Sequence, residues 1–218
     1  MQTHLLSTQP SLLSRFIAEL RDKDVQTDPM RFRRNLQRIG EIFAYEISKT
    51  MTSAVIEVPT PLGVATERVP DEEVVVASVL RAGLPLHDGV LSFFDRASNA
   101  FVSAYRKYTL TDEFNIHIEY IASPNLDGKT LILCDPMLAT GSSIELVYNA
   151  LLTKGHPAHV HIVSVVASQA GVDYVQQMLS DAPVTLWLGV VDEELNAKAY
   201  IVPGLGDAGD LAYGKKVD

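Results

Sequence analysis

The chain has 218 residues, 47% of them hydrophobic and 21% charged. That is enough for one sizeable core, or a core domain with a small appendage, and too apolar for a disordered chain. A formal net charge of −9 excludes broad binding to nucleic acids or anionic membranes, whose phosphates need a basic surface. A local cup of backbone N–H groups can still hold a small anion. The single cysteine, Cys134, rules out an internal disulfide and a cysteine-based zinc site, and it fits a reducing compartment. The start, Met1 to Ser7, lacks a basic segment followed by a long apolar run, so no signal peptide is expected. No apolar stretch approaches the roughly 20 residues of a membrane span, and the expected location is the cytoplasm.

Residues 11–22 have helical spacing at Leu12, Phe16 and Leu20. A second helix is expected from Asp28-Pro29, with Asp28 as cap and Pro29 in the first turn, to about Thr50. Its apolar residues Phe32, Leu36, Ile39, Phe43 and Ile47 step by three and four. Ala54–Val58 and Val64–Val69 flank a Pro-Thr-Pro-Leu-Gly turn and read as a β-hairpin. Val74–Leu80 is a continuous apolar run, as expected of a strand covered on both faces. Similar runs follow at Ala100–Tyr105, Thr130–Cys134, Val160–Ala167 and Val184–Val190, with helical segments at about 84–93, 142–154 and 171–180. This alternation predicts an α/β fold with a mainly parallel sheet and helices on both faces. Residues 108–122 break the rhythm and suggest a flap or long hairpin, and the Gly- and Asp-rich tail from Ile201 reads as loop. Ligands of such sheets bind at the carboxyl ends of the strands, which directs attention to the residues after Leu80, Tyr105 and Cys134.

After Cys134 the chain reads Asp135-Pro136-Met137-Leu138-Ala139-Thr140-Gly141-Ser142-Ser143. An apolar strand ends in an acid, and a short loop of small and hydroxyl residues opens a helix. The amino end of that helix carries free N–H groups and the positive end of the dipole. Thr140, Ser142 and Ser143 add hydroxyl donors, and Gly141 lets a ligand approach the backbone. A carboxylate beside a phosphate makes sense when the ligand also carries a diol, so the segment suits a ribose monophosphate. The alternative is that Asp135 and Thr140 only cap a helix. A Walker-type loop is excluded by the missing Gly-Lys-Ser/Thr ending, and a dinucleotide site by the missing Gly-x-Gly-x-x-Gly.

The Asp135–Ser143 string closely resembles the phosphoribosyl pyrophosphate loop of the uracil phosphoribosyltransferases. Three further segments match in order. Leu80-Arg81-Ala82-Gly83-Leu84 resembles that family's pyrophosphate loop, Tyr105-Arg106 its second arginine site, and Tyr200-Ile201-Val202-Pro203-Gly204-Leu205-Gly206-Asp207-Ala208-Gly209-Asp210 its uracil loop. The last is the most specific, because it separates the uracil enzymes from other members of the fold. The family usually has a second glycine where Ser142 stands; serine is costly there if φ is positive and harmless if the position is helical.

The resemblance implies the type I phosphoribosyltransferase fold over residues 1–218: amino-terminal helices (1–52), a hairpin (53–69), the core (70–198), and a base-recognition loop and tail (199–218). It also implies the reaction of uracil with phosphoribosyl pyrophosphate to give uridine monophosphate and pyrophosphate in pyrimidine salvage. Asp135, Arg106 and Asp207 would be catalytic. Arg81, Arg106 and residues 135–143 (Asp135, Pro136, Met137, Leu138, Ala139, Thr140, Gly141, Ser142 and Ser143) would hold the phosphoribosyl pyrophosphate, with Asp207. Ile201, Gly206, Asp207 and Ala208 would contact uracil. Asp135 is followed by proline rather than a second acid. Mg2+, the implied cofactor, would therefore sit mostly on the pyrophosphate, ribose hydroxyls and waters, with Asp207 as its protein oxygen and no dedicated protein cage. A homodimer or higher homo-oligomer is implied, and GTP is a candidate activator.

Two other features have plainer readings. His156, His159 and His161 suggest a metal, but no acid or cysteine completes the set in sequence. Cys134 ends an apolar strand and reads as core rather than nucleophile. The alternatives to the main reading are a phosphoribosyltransferase for another base, such as xanthine or orotate, and a non-catalytic nucleotide-binding regulator on the same fold.

Overall fold

The computed structural model describes residues 1–108 and 114–217, and side chains outside 104–118. In chain order the elements begin with β1 (Gln2–Leu5), α1 (Leu12–Arg21), α2 (Pro29–Ser48), β2 (Ser53–Thr60), β3 (Gly63–Pro70) and β4 (Val74–Leu80). They continue with α3 (Leu84–Leu91), β5 (Ser98–Tyr108), β6 (Phe114–Ala122), β7 (Thr130–Cys134), β8 (Met137–Leu138) and α4 (Ser142–Leu152). The last are β9 (His159–Ser168), α5 (Gln169–Met178), β10 (Val184–Asp192), β11 (Glu194–Leu195), β12 (Ile201–Val202) and α6 (Ala208–Tyr213).

The main sheet runs β1-β10-β9-β7-β4-β5-β6, with β8 beside β9. Its pairings are parallel except β5 with β6. This is the α/β architecture expected from the sequence. Strand parity divides the core into two layers. Val74 and Val76 of β4 join Ile132, Val163 and Trp187 beneath α1, α2 and α3. Val75, Ala77 and Val79 turn the other way and join Leu131, Leu133 and Ile162 beneath α4 and α5. Both faces of β4 and β7 are thus covered, which is why their sequences are unbroken apolar runs.

Helix α2 begins as expected: the Asp28 carboxylate accepts the N–H groups of Met30 and Arg31, and Pro29 occupies the first turn. Phe32, Leu36, Ile39, Phe43 and Ile47 are all buried, each side chain contributing about 1.5–3 kcal/mol by leaving water. Helix α1 is rotated from expectation. Leu13, Ile17 and Leu20 face the core, while Leu12 is 70% exposed. A capping box, in which Ser14 Oγ accepts the Ser11 N–H at 3.3 Å, makes Leu12 the first helical residue and turns it to solvent. Phe16 is only partly covered, lying under the Arg38 guanidinium at 5.2 Å.

The first strand and the ordered tail were not expected. The polar strand β1 docks parallel to β10, where His4 stacks on Trp187 at 4.1 Å. The tail folds rather than looping freely, with β12 pairing β11 and α6 capped by the Asp207 side chain. The break in rhythm at 108–122 is the antiparallel β5–β6 pair, and 109–113 lie outside the described residues.

Helices α2 and α3 cross at two glycines. A Cβ on Gly40 would fall on the Leu86 carbonyl, and one on Gly89 would fall on the Gln37 carbonyl. We predict that Gly40→Val lowers the free energy of unfolding by about 1–3 kcal/mol through overpacking, measured by urea denaturation. An unchanged midpoint would show that this crossing yields easily.

Candidate functional site

The expected phosphate segment is positioned by β7 and β9. Asp135 follows the last residue of β7 at 9% exposure. Its N–H donates to the Val163 carbonyl at 3.1 Å, its carbonyl accepts the Ser164 hydroxyl at 2.5 Å, and its Oδ1 accepts the Met137 N–H at 3.2 Å. The Pro136 carbonyl accepts the N–H groups of Val165 and Val166 at 3.1 and 3.0 Å. Met137 and Leu138 form β8 against Val166 and Ala167. The Ser168 hydroxyl donates to the Ala139 carbonyl at 2.5 Å. Residues 135–139 are therefore tied to β9 along their length, a loop held nearly as firmly as a strand.

Gly141 carries the turn into α4 at φ +83°, a conformation that L side chains avoid, and a Cβ there would also meet Tyr174 at 2.8 Å. Ser142 is the first residue of α4 and lies outside the left-handed region. The harmless case for serine thus holds, and its hydroxyl shares a hydrogen bond with Thr140 at 2.7 Å. The first turn of a helix leaves N–H groups without intrahelical partners, and in α4 that turn stands beside these hydroxyls, an arrangement able to hold an anion.

Arg81 lies in the turn between β4 and α3. That turn packs on the end of β7: a Cβ on Gly83 would stand 2.6 Å from the Cys134 carbonyl. The Arg81 guanidinium bonds the Asp210 carboxylate at 2.9 Å and the Gly214 carbonyl at 3.3 Å. The expected pyrophosphate turn thus stands between the Asp135 strand end and the carboxyl-terminal helix. Arg106 lies in β5 opposite Ile116, and its side chain is outside the described residues.

Among the expected base contacts, Ile201 and Ala208 are buried and Gly206 turns the chain at φ +93°. Asp207 caps α6 by accepting the Asp210 N–H at 3.0 Å and stands 3.5 Å from both the Lys216 ammonium and the Tyr200 hydroxyl. Burial alone raises the Asp207 carboxyl, yet the Asp210 N–H, the Lys216 charge and the Gly209 N–H outweigh it and hold it below its ordinary value. As a hard oxygen on a fixed cap, Asp207 fits a magnesium ion carried by a pyrophosphate. Among the described residues no group of three or more His, Cys, Asp or Glu side chains could hold a metal by itself.

Cys134 is fully buried, and burial together with the neighbouring Asp135 charge pushes its thiol well up. It is core and carries no thiolate chemistry. His159 and His161 stand at the amino end of β9, remote from the Asp135–Ser143 segment. They line a cavity of about 810 Å3 together with Asp71, Glu72, Glu73 and Asp127. Those carboxylates repel phosphate, so its size does not make it the substrate site. His161 accepts the Trp187 indole N–H at 3.0 Å, and burial followed by the neighbouring His159 lowers its pKa to about 4.

Sequence reasoning named Asp210 within the 200–210 string but gave it no role, and it passed over Asp192 and Arg21. Asp210 bonds Arg81, and Asp192 pairs with Arg21 beside residues 201–208. Asp192 had a readable signal, since it closes an apolar strand just as Asp135 follows one.

The family model described as Uracil phosphoribosyltransferase matches residues 7–215. A uracil phosphoribosyltransferase of Porphyromonas gingivalis is 57% identical over 217 residues, 100% of each chain. One from Methanothermobacter thermautotrophicus is 41% identical over 195 residues, covering 88% of this chain and 87% of that one. A solved protein structure from Aquifex aeolicus superposes with a TM-score of 0.86 at 31% identity, covering 100% of both chains.

The lowered Asp207 carboxyl has a consequence for stability. A group whose pKa falls on folding binds its proton less tightly in the folded chain. Its contribution is whole above the unfolded value of 3.8 and is lost as pH falls through the folded value. We predict that Asp207→Asn narrows the loss of stability below that pH in urea titrations. The gap between the two proteins should be constant above about pH 5 and shrink on acidification; a gap independent of pH would remove Asp207 from the acid response.

Proposed function

Because the chain belongs to the uracil phosphoribosyltransferase family, we propose that the phosphoribosyl group is bound at the Asp135–Ser143 segment and transferred there from pyrophosphate to the ring nitrogen of uracil. The products are uridine monophosphate and pyrophosphate. Positive charge grows on the sugar and negative charge on the leaving pyrophosphate, as in other glycosyl transfers. The Asp135 carboxylate takes the ribose hydroxyls and stands by the developing cation. The first turn of α4, with Thr140, Ser142 and Ser143, holds the 5-phosphate. Arg81 and Arg106 hold the pyrophosphate through guanidinium forks that remain charged.

Magnesium, held by the pyrophosphate with Asp207 as its protein oxygen, would neutralise charge on the leaving group. Uracil presents two carbonyl acceptors and one N–H to the backbone around Ile201 and Gly206–Ala208, where cytosine would set an amino group against a backbone donor. No side chain of the described tail is an obvious general base, so positioning and electrostatics carry the rate. Family membership also supports a cytoplasmic homodimer or higher homo-oligomer acting in pyrimidine salvage as one functional unit over residues 1–218, with GTP as a candidate activator. Among the described residues no helix is long and apolar enough to cross a membrane.

The observation that supports this site above others is the convergence around Arg81. Its turn packs on the end of β7 beside Asp135, and its guanidinium bonds the helix that follows the base loop. The purified protein with uracil, phosphoribosyl pyrophosphate and magnesium is expected to form uridine monophosphate, with none of the corresponding product from cytosine or orotate. Asp135→Asn should lower kcat/KM roughly a hundred-fold or more, followed by chromatography. A variant as efficient as the parent would remove Asp135 from the ribose site.

A further inference from the structure

Asp192 closes β10 at 8% exposure. Its two oxygens take both arms of the Arg21 guanidinium, at 2.8 and 2.9 Å, from the last residue of α1. Oδ2 also accepts the N–H of Gly204 at 2.9 Å, and the Gly204 carbonyl accepts Nη1 of the same Arg21 at 3.3 Å. One partly buried ion pair thus grips both backbone polar groups of one loop residue. Gly204 has φ +53°, and a Cβ there would fall on the Ile201 carbonyl, so the chain folds tightly back on β12 at this point. In sequence, Gly204 lies between the two halves of the candidate base edge, Ile201 on one side and Gly206–Ala208 on the other.

A backbone edge can select a base only if its N–H and C=O groups stand still while the base arrives. Regular structure fixes little of this segment: β12 has two residues and α6 has six. We propose that the Arg21–Asp192 pair is a positioning device for uracil: by holding Gly204 it fixes the backbone of residues 201–208 against the base, and so sets uracil affinity without touching the substrate. The inference rests on reading 201–208 as the base loop. It also gives α1 a role in substrate choice. The forked geometry requires arginine, because lysine offers a point charge without the fork.

The test is steady-state kinetics on the full chain, varying uracil at saturating phosphoribosyl pyrophosphate and the reverse. Calorimetric binding of phosphoribosyl pyrophosphate is measured alongside. Asp192→Asn and Arg21→Lys are each expected to raise the KM for uracil roughly ten-fold, with the KM for phosphoribosyl pyrophosphate and its binding changed by less than about two-fold. The double variant is expected to be little worse than either single one, because the pair acts as a unit. If removal of the charge partner prevents Asp192→Asn from folding, Arg21→Lys carries the test. Loss of thermal stability with both KM values unchanged, or both rising together, would overturn the proposal in favour of a purely structural pair. Gly206→Ala, within the loop itself, separates the two layers of the argument. If it too leaves the KM for uracil unchanged, the base-loop reading fails and the positioning role fails with it. If it raises that KM while the pair variants do not, the loop reading stands and only the positioning role is lost.

Discussion

A helix that starts at the carboxyl end of a buried parallel strand leaves its first backbone N–H groups without intrahelical partners, and the site is organised around that constraint. Helix α4 begins at Ser142, one residue beyond a glycine whose φ of +83° turns the chain from loop into helix. The open donors favour an anion at that place. A formal net charge of −9 is no obstacle to a small anion at such a place, because backbone dipoles act at contact range while the net charge is diluted by solvent and salt. The acid-lined cavity at the other end of the strands has the opposite local character. Polarity along the sheet, from acidic amino end to donor-rich carboxyl end, is therefore a property of local geometry.

Precision at the site comes from the neighbouring strand. Ser164 and Ser168 of β9 hold the carbonyls of Asp135 and Ala139, while the Pro136 carbonyl takes two backbone donors from the same strand. The segment that follows β7 would otherwise expose polar backbone beside a buried core, and β9 satisfies it. Close packing of the Gly83 turn against the Cys134 carbonyl sets Arg81 at the same edge. Small residues and hydroxyls here act by letting backbones approach and by filling hydrogen bonds.

The carboxyl-terminal tail unites groups that are far apart in sequence. Asp207 caps α6, whose Asp210 carboxylate bonds Arg81, and Asp192 with Arg21 holds Gly204. The Arg81 turn, residues 201–208 and the end of α1 are thereby joined through charge-assisted hydrogen bonds, which are stronger and more directional than neutral ones. These carboxylates sit in a region with few regular backbone contacts, where side chains supply the order.

Much of this was legible in the residues. Unbroken apolar runs marked β4 and β7 because both of their faces are covered, Asp28-Pro29 marked the start of α2, and an acid followed by Thr-Gly-Ser after a buried strand marked the turn that leads into α4. These signals are local: each depends on burial or backbone chemistry within a few residues. What the sequence left open was decided by contacts between distant segments. Leu12 and Leu13 fit the same helical period, and the capping geometry of Ser11 and Ser14 chose between them. Strand β1 has no alternating pattern of its own and exists because β10 offers an unpaired edge. Ser142 was harmless or costly according to an angle that only the folded turn fixes. The partnerships of Arg81 with Asp210 and of Arg21 with Asp192 span most of the chain. Residue types and spacing therefore determined the central strands and helices and the small, hydroxyl-bearing turn before α4, whereas tertiary structure alone decided which charges meet, because ion pairing depends on distance in space and no local pattern encodes it.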